Sequence, residues 1–179
     1  MKKILALILA FASLILCLCG CQVSDSSNDE DANNHQTSLP EEMPEDFSFI
    51  VKWGLIGHYY NSETGELRKA YDDEYRTTHL MTEEELKAVY KLIYELNVES
   101  YDDILHPSEY SSMDPAFLIE LTVHAEGVDK TIHAYATTGF NSGITERMKK
   151  YCKTVESITK MLTDSEEWKA LPEWNYPIY

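Results

Sequence analysis

Phe117-Leu-Ile-Glu-Leu-Thr-Val-His-Ala-Glu-Gly-Val-Asp-Lys-Thr-Ile-His-Ala-Tyr-Ala136 carries the clearest structural pattern in the chain. Phe117, Ile119, Leu121 and Val123 alternate with Leu118, Glu120, Thr122 and His124, the period of two that a strand shows when one face lies on a core. Glu126-Gly127-Val128-Asp129 then places glycine first of two central turn residues, which suits a type II′ hairpin. That turn predicts Val123 opposite Ile132, Leu121 opposite Ala134 and Ile119 opposite Ala136 on the apolar face. On the polar face it predicts Thr122 opposite His133 and His124 opposite Thr131.

Downstream, Met148, Tyr151, Cys152, Val155, Ile158 and Leu162 recur at helical spacing and predict a helix from about Thr145 to Leu162. Thr163-Asp-Ser-Glu166 has the spacing of a capping box and predicts a short helix around Trp168 that ends before Pro172. Upstream, Thr82-Glu-Glu-Glu85 has the same spacing, with Met81 placed to staple onto Leu86. Leu86, Val89, Tyr90, Ile93 and Leu96 continue as an apolar stripe that Asn97 ends. Further upstream, Phe47 to Trp53 reads as a strand, Asn61 to Gly65 as a turn and Leu67 to Tyr71 as a returning strand. The predicted order is hairpin, helix, hairpin, helix. The fold class is α+β: a two-layer sandwich in which two main helices cover one face of an antiparallel sheet of about four strands. The other sheet face is polar and can stay wet.

This domain is predicted over residues 47–179. In front of it, Gln22 to Asp46 is rich in Ser, Asn, Asp, Glu and Pro and has no Lys or Arg, too little apolar surface to offset its ordering entropy. We read residues 21–46 as a tether with a reach on the order of 25–30 Å, extended further by repulsion among its acids. The chain as a whole has 179 residues, 15 Lys plus Arg against 31 Asp plus Glu, and a net charge of −16, which speaks against nucleic acid as a partner.

Residues 1–20 read as an export signal: Lys2 and Lys3 precede an uncharged apolar run from Ile4 to Cys19, shorter than the roughly 20 residues of a membrane span. The run ends in Leu18-Cys19-Gly20-Cys21, which resembles the lipobox of bacterial lipoproteins. The resemblance implies cleavage before Cys21, diacylglycerol on its sulfur and, often, acylation of its amine. The implied location is the extracytoplasmic side of the bacterial cell membrane, where two acyl chains hold a protein persistently and one does so marginally. Loss of residues 1–20 leaves Cys21 and Cys152, so a lipidated Cys21 rules out an internal disulfide. Trp53-Gly54, Thr64-Gly65 and Leu80-Met-Thr-Glu-Glu-Glu-Leu86 resemble segments of small lipoprotein domains of unknown function from Gram-positive bacteria. That resemblance implies no activity.

Candidates for chemistry are few. The expected register places His124 and His133 diagonally on the polar face near Glu120, a spacing of about 7–8 Å at which two imidazoles can share a zinc ion. Ordinary polar residues of a wet sheet face are the competing reading. Cys152 falls on an apolar stripe, which favours burial over nucleophilic use. Asp72-Asp73-Glu74 and Asp102-Asp103 read as solvated loops, and Arg147, Lys149, Lys150, Lys153 and Lys160 as the outer side of a helix. Trp174, Tyr176 and Tyr179 crowd the last residues and offer either a contact surface or a cover for the core. No Gly-rich phosphate loop, Gly-x-Ser-x-Gly elbow or His-Glu-x-x-His sequence occurs, and no motif calls for a cofactor. The reading is therefore a lipid-anchored binding or interaction module whose partner is an envelope protein or glycan. A small metal-dependent or hydrolytic enzyme is the alternative.

Overall fold

The computed structural model describes residues 38–70, 72–105, 117–136 and 145–173. Residues 1–20, read above as an export signal, and Cys21, Trp174, Tyr176 and Tyr179 lie outside the described residues. Strands β1 (Ser48–Trp53), β2 (His58–Asn61), β3 (Glu66–Arg68), β4 (Arg76–Thr78), β5 (Ile104–Leu105), β6 (Phe117–Ala125) and β7 (Val128–Ala136) form one mixed sheet in the order β4-β3-β2-β1-β6-β7-β5. Neighbours are antiparallel except β5 and β7, which run parallel. The α+β class holds, but the described residues form seven strands, not about four. The additional strands are two to four residues long, too short to show an alternation of their own.

The central hairpin differs from the predicted one in its turn. Glu126 and Gly127 both have positive φ, 43° and 82°, so these two residues make the loop in the manner of a type I′ turn. Ala125 then faces Val128, and Leu121 faces Ile132, a shift of two residues from the expected register. Since the side-chain period is also two, every residue keeps its face while changing its partner. The shifted turn lets Val128 join the strand and pack against the core, where a type II′ turn would spend it in the loop. Left-handed backbone at a non-glycine costs free energy, and Asp46 offsets part of it by accepting the Glu126 amide at 3.0–3.1 Å.

In the first half, β1 to β4 form a meander. Asn61 Oδ1 accepts from the Glu63 amide at 2.9 Å, and the Gly65 amide donates to Asn61 O at 2.9 Å, which closes the β2–β3 turn. A Cβ on Gly65, at φ +71°, would stand 2.7 Å from Leu80 Cδ2 and 3.0 Å from the His79 carbonyl. Only glycine fits there.

Helix α1 (Glu83–Leu96) starts on the predicted capping box, with Thr82 Oγ1 accepting from the Glu85 amide and Glu85 reaching back, and stops where Asn97 turns left-handed. Helix α2 (Glu146–Thr163) is capped by Thr145. Because α2 runs on through Thr163, the expected box at Thr163 does not form. Ser165 caps the short helix α3 (Glu166–Ala170), accepting from the Trp168 amide. No helix among the described residues is long and apolar enough to cross a membrane.

Phe49, Val51, Tyr60, Leu67, Leu121, Val123, Ile132 and Ala134 share the inner sheet face and are almost wholly buried. Helix α2 lies against β1 and β6 and α1 beside α2, so Val89, Ile93 and Leu96 meet Met148, Tyr151, Val155 and Ile158 in one core. That core reaches into the stretch expected to be tether. Leu39 is 4% exposed within it, Ser38 donates its amide and hydroxyl to the Glu99 carboxylate at 2.7 and 2.6 Å, and Tyr90 donates to the Pro40 carbonyl. The folded unit therefore begins before Phe47, and Ser38 to Asp46 belong to it.

Candidate binding face

The sheet face turned away from the helices carries the polar residues. The strand registers align one residue from each of the seven strands in a single row: Arg76, Arg68, Tyr59, Lys52, Glu120, His133 and Ile104. At about 4.8 Å between strands the row spans roughly 29 Å. Arg68 lies over the Tyr59 ring at 4.2 Å, a cation–π contact, and its Nε is 3.3 Å from Glu66. Arg76 pairs with Asp73 and Glu66.

Glu120 sits beside the central Lys52, with a side chain 12% exposed. One oxygen takes the Lys52 ammonium at 2.6 Å and the other faces His133 Nδ1 at 3.2 Å. Both oxygens are committed, so the carboxylate acts as a fastener that fixes an ammonium and an imidazole at set positions on the surface. The His133 amide is held by the Asp103 carbonyl at 2.8 Å. The Lys130 ammonium, hydrogen-bonded to the Asp103 carboxylate, holds that group below the usual carboxylate range. In the next row, the Thr122 and Thr131 hydroxyls meet at 2.9 Å.

The structure does not bring His124 and His133 together. His124 faces Asp129, with Nδ1 3.3 Å from its carboxylate, while His133 faces Glu120, four positions earlier on β6. This corrects the diagonal pair, and its cause is the two-residue shift at the Glu126-Gly127 turn. Among the described residues no group of three or more His, Cys, Asp or Glu is arranged to hold a metal ion.

Several of the remaining candidates have a structural setting of their own. Cys152 is half-buried, and burial pushes its thiol up, away from nucleophilic use. Lys149 pairs with Glu146, Lys160 with Asp164, Lys150 donates to the Glu95 carbonyl, and Arg147 covers the Tyr101 ring at 4.6 Å. Trp168 stacks on Trp53 at 5.5 Å and meets the His58 ring edge-on at 5.0 Å. The Lys69 ammonium, 5.3 Å from the Trp168 ring, donates to the Leu171 carbonyl and to Glu173, and His79 faces Glu167 at 3.0 Å. These contacts seat α3 on the meander. Burial is the main force lowering the His58 pKa; the hydrogen bond between its Nδ1 and the Lys69 carbonyl at 2.7 Å opposes it, and the nearby Lys69 charge adds a smaller lowering.

Lys52, Tyr59 and Arg68 were not distinguishable as a set from sequence, because their adjacency depends on the β1–β2–β3 register. The alternation Ile50-Val51-Lys52 was the available signal for Lys52 alone. A scan against protein-family models finds no match to this chain, and a search of the curated proteins finds none either.

Proposed function

We propose that the protein is a binding module of the bacterial cell envelope, held on the extracytoplasmic side of the membrane by lipid on Cys21, like the small Gram-positive lipoproteins its segments resemble. The observation that carries this reading is the order of features in the leader: Lys2 and Lys3, the apolar run to Cys19, and Gly20-Cys21. The row from Arg76 to His133 supplies a surface suited to an envelope protein or glycan, since it offers fixed hydrogen-bonding groups and an aromatic ring at regular intervals. Trp174, Tyr176 and Tyr179 are proposed as a second contact surface. The separation of His124 from His133 does not add support to the metal-dependent or hydrolytic alternative.

Metabolic labelling with tagged palmitate tests the anchor. The wild-type chain is expected to carry label and to sediment with membranes, and Cys21→Ser to lose both. Absence of label on the wild type, or equal label on both, overturns the proposal.

A further inference from the structure

On the far side of the molecule from the polar row, the segment Glu41–Phe47 and helix α1 enclose a cleft of about 1010 Å³. Its apolar surface comes from Met43, Phe47, Leu86 and Tyr94. The Tyr90 hydroxyl, bonded to the Pro40 carbonyl, and the edge-on contact of the Tyr90 and Phe47 rings at 4.9 Å fix one wall. The cleft lies at or above the top of the usual 300–1,000 Å³ range of small-molecule sites.

The rim is acidic, and the acids differ in their commitments. Glu83 is paired with Lys87 at 2.6 Å and Glu95 with Lys91 at 3.9 Å. Glu41, Glu42 and Glu45 are exposed and have no ion-pair partner among the described residues. The cleft thus keeps three uncompensated carboxylates around an apolar floor, on a chain whose net charge of −16 attracts cations from a distance. A divalent cation is a poor match, because no cluster of three or more ligating groups is present among the described residues. A ligand that spaces several positive charges along an apolar backbone matches both features.

We propose that this cleft docks a cationic amphipathic peptide segment, its large apolar side chains against Phe47, Leu86 and Tyr94 and its Lys or Arg side chains against Glu41, Glu42 and Glu45. The proposal goes beyond the anchoring reading and does not depend on Cys21. It is tested with the full-length chain in zwitterionic detergent, by fluorescence anisotropy against a labelled Lys-Leu-Lys-Phe-Lys-Leu-Lys peptide, with micelles alone as the blank. Saturable binding is expected. The exposed triple variant Glu41→Gln, Glu42→Gln, Glu45→Gln is expected to bind about tenfold more weakly. Glu63→Gln, Glu74→Gln, Glu156→Gln removes the same charge from exposed positions outside the cleft and is expected to change binding by less than about twofold. A peptide with Glu for Lys, and one with Gly for Leu and Phe, are expected not to bind. The proposal is overturned by no saturable binding, by equal loss in the two triple variants, or by undiminished binding of the Gly peptide. None of these outcomes alters the palmitate result.

Discussion

The two faces of β1, β6 and β7 share one backbone and are held by different forces. On the covered face, Phe49, Val51, Leu121, Val123 and Ile132 are excluded from water and depend on shape and volume. On the open face, one residue along in each strand, Lys52, Glu120 and His133 depend on charge pairing across the strands. The difference separates what makes the protein fold from what it can present to a partner, and it can be probed residue by residue. The largest effect is expected on the covered side: Leu121→Ala removes a fully buried side chain and should cost about 2–5 kcal/mol in denaturant unfolding. A loss below about 1 kcal/mol would mean that the helices close over the gap or are not packed as described.

The open face should answer more weakly. Lys52 is 45% exposed, so solvent screens its pairing with Glu120. A double-mutant cycle of Lys52→Ala and Glu120→Ala is expected to give a coupling of about 0.2–1 kcal/mol, diminished by salt. A coupling as large as the Leu121→Ala loss would erase the contrast between the faces.

The finest probe is a proton on the covered side. His58 sits among Trp53, Trp168 and Lys69, and burial is the main force keeping its ring neutral. The unfolded chain takes up that proton first, near the ordinary 6.5, so the stability contributed by neutral His58 is complete above that pH and falls as pH drops below it. Unfolding midpoints measured from pH 8 to pH 5 should decline more steeply for the wild type than for His58→Gln. Parallel curves would place the ring in a more polar setting than its neighbours suggest.

What was legible in the sequence follows the same division. Elements fixed by their own residues could be read: Thr82 with Glu85, Asn97 and Thr145 mark helix ends by local hydrogen bonds, and the nine-residue strands β6 and β7 are long enough to alternate visibly. Elements fixed by a distant partner could not. Strand β5 has two residues and exists through its parallel pairing with β7. The hairpin register turned on Glu126 accepting a left-handed backbone, which depends on Asp46 some eighty positions earlier. The site shares that limit: alternation alone places His124 and His133 on the polar face, but their partners follow from the register, and the row through Tyr59 and Arg68 follows from the meander.

Leu39 has a practical bearing on any attempt to isolate this domain. A recombinant fragment trimmed at Phe47, where the composition changes, leaves an empty socket in its own interior, withdraws the Pro40 oxygen from Tyr90 and strips the clamp from the Glu126 amide. Shaving by proteases between Ser38 and Asp46 should therefore yield a loosened, aggregation-prone product, and expression boundaries are better drawn upstream of Ser38.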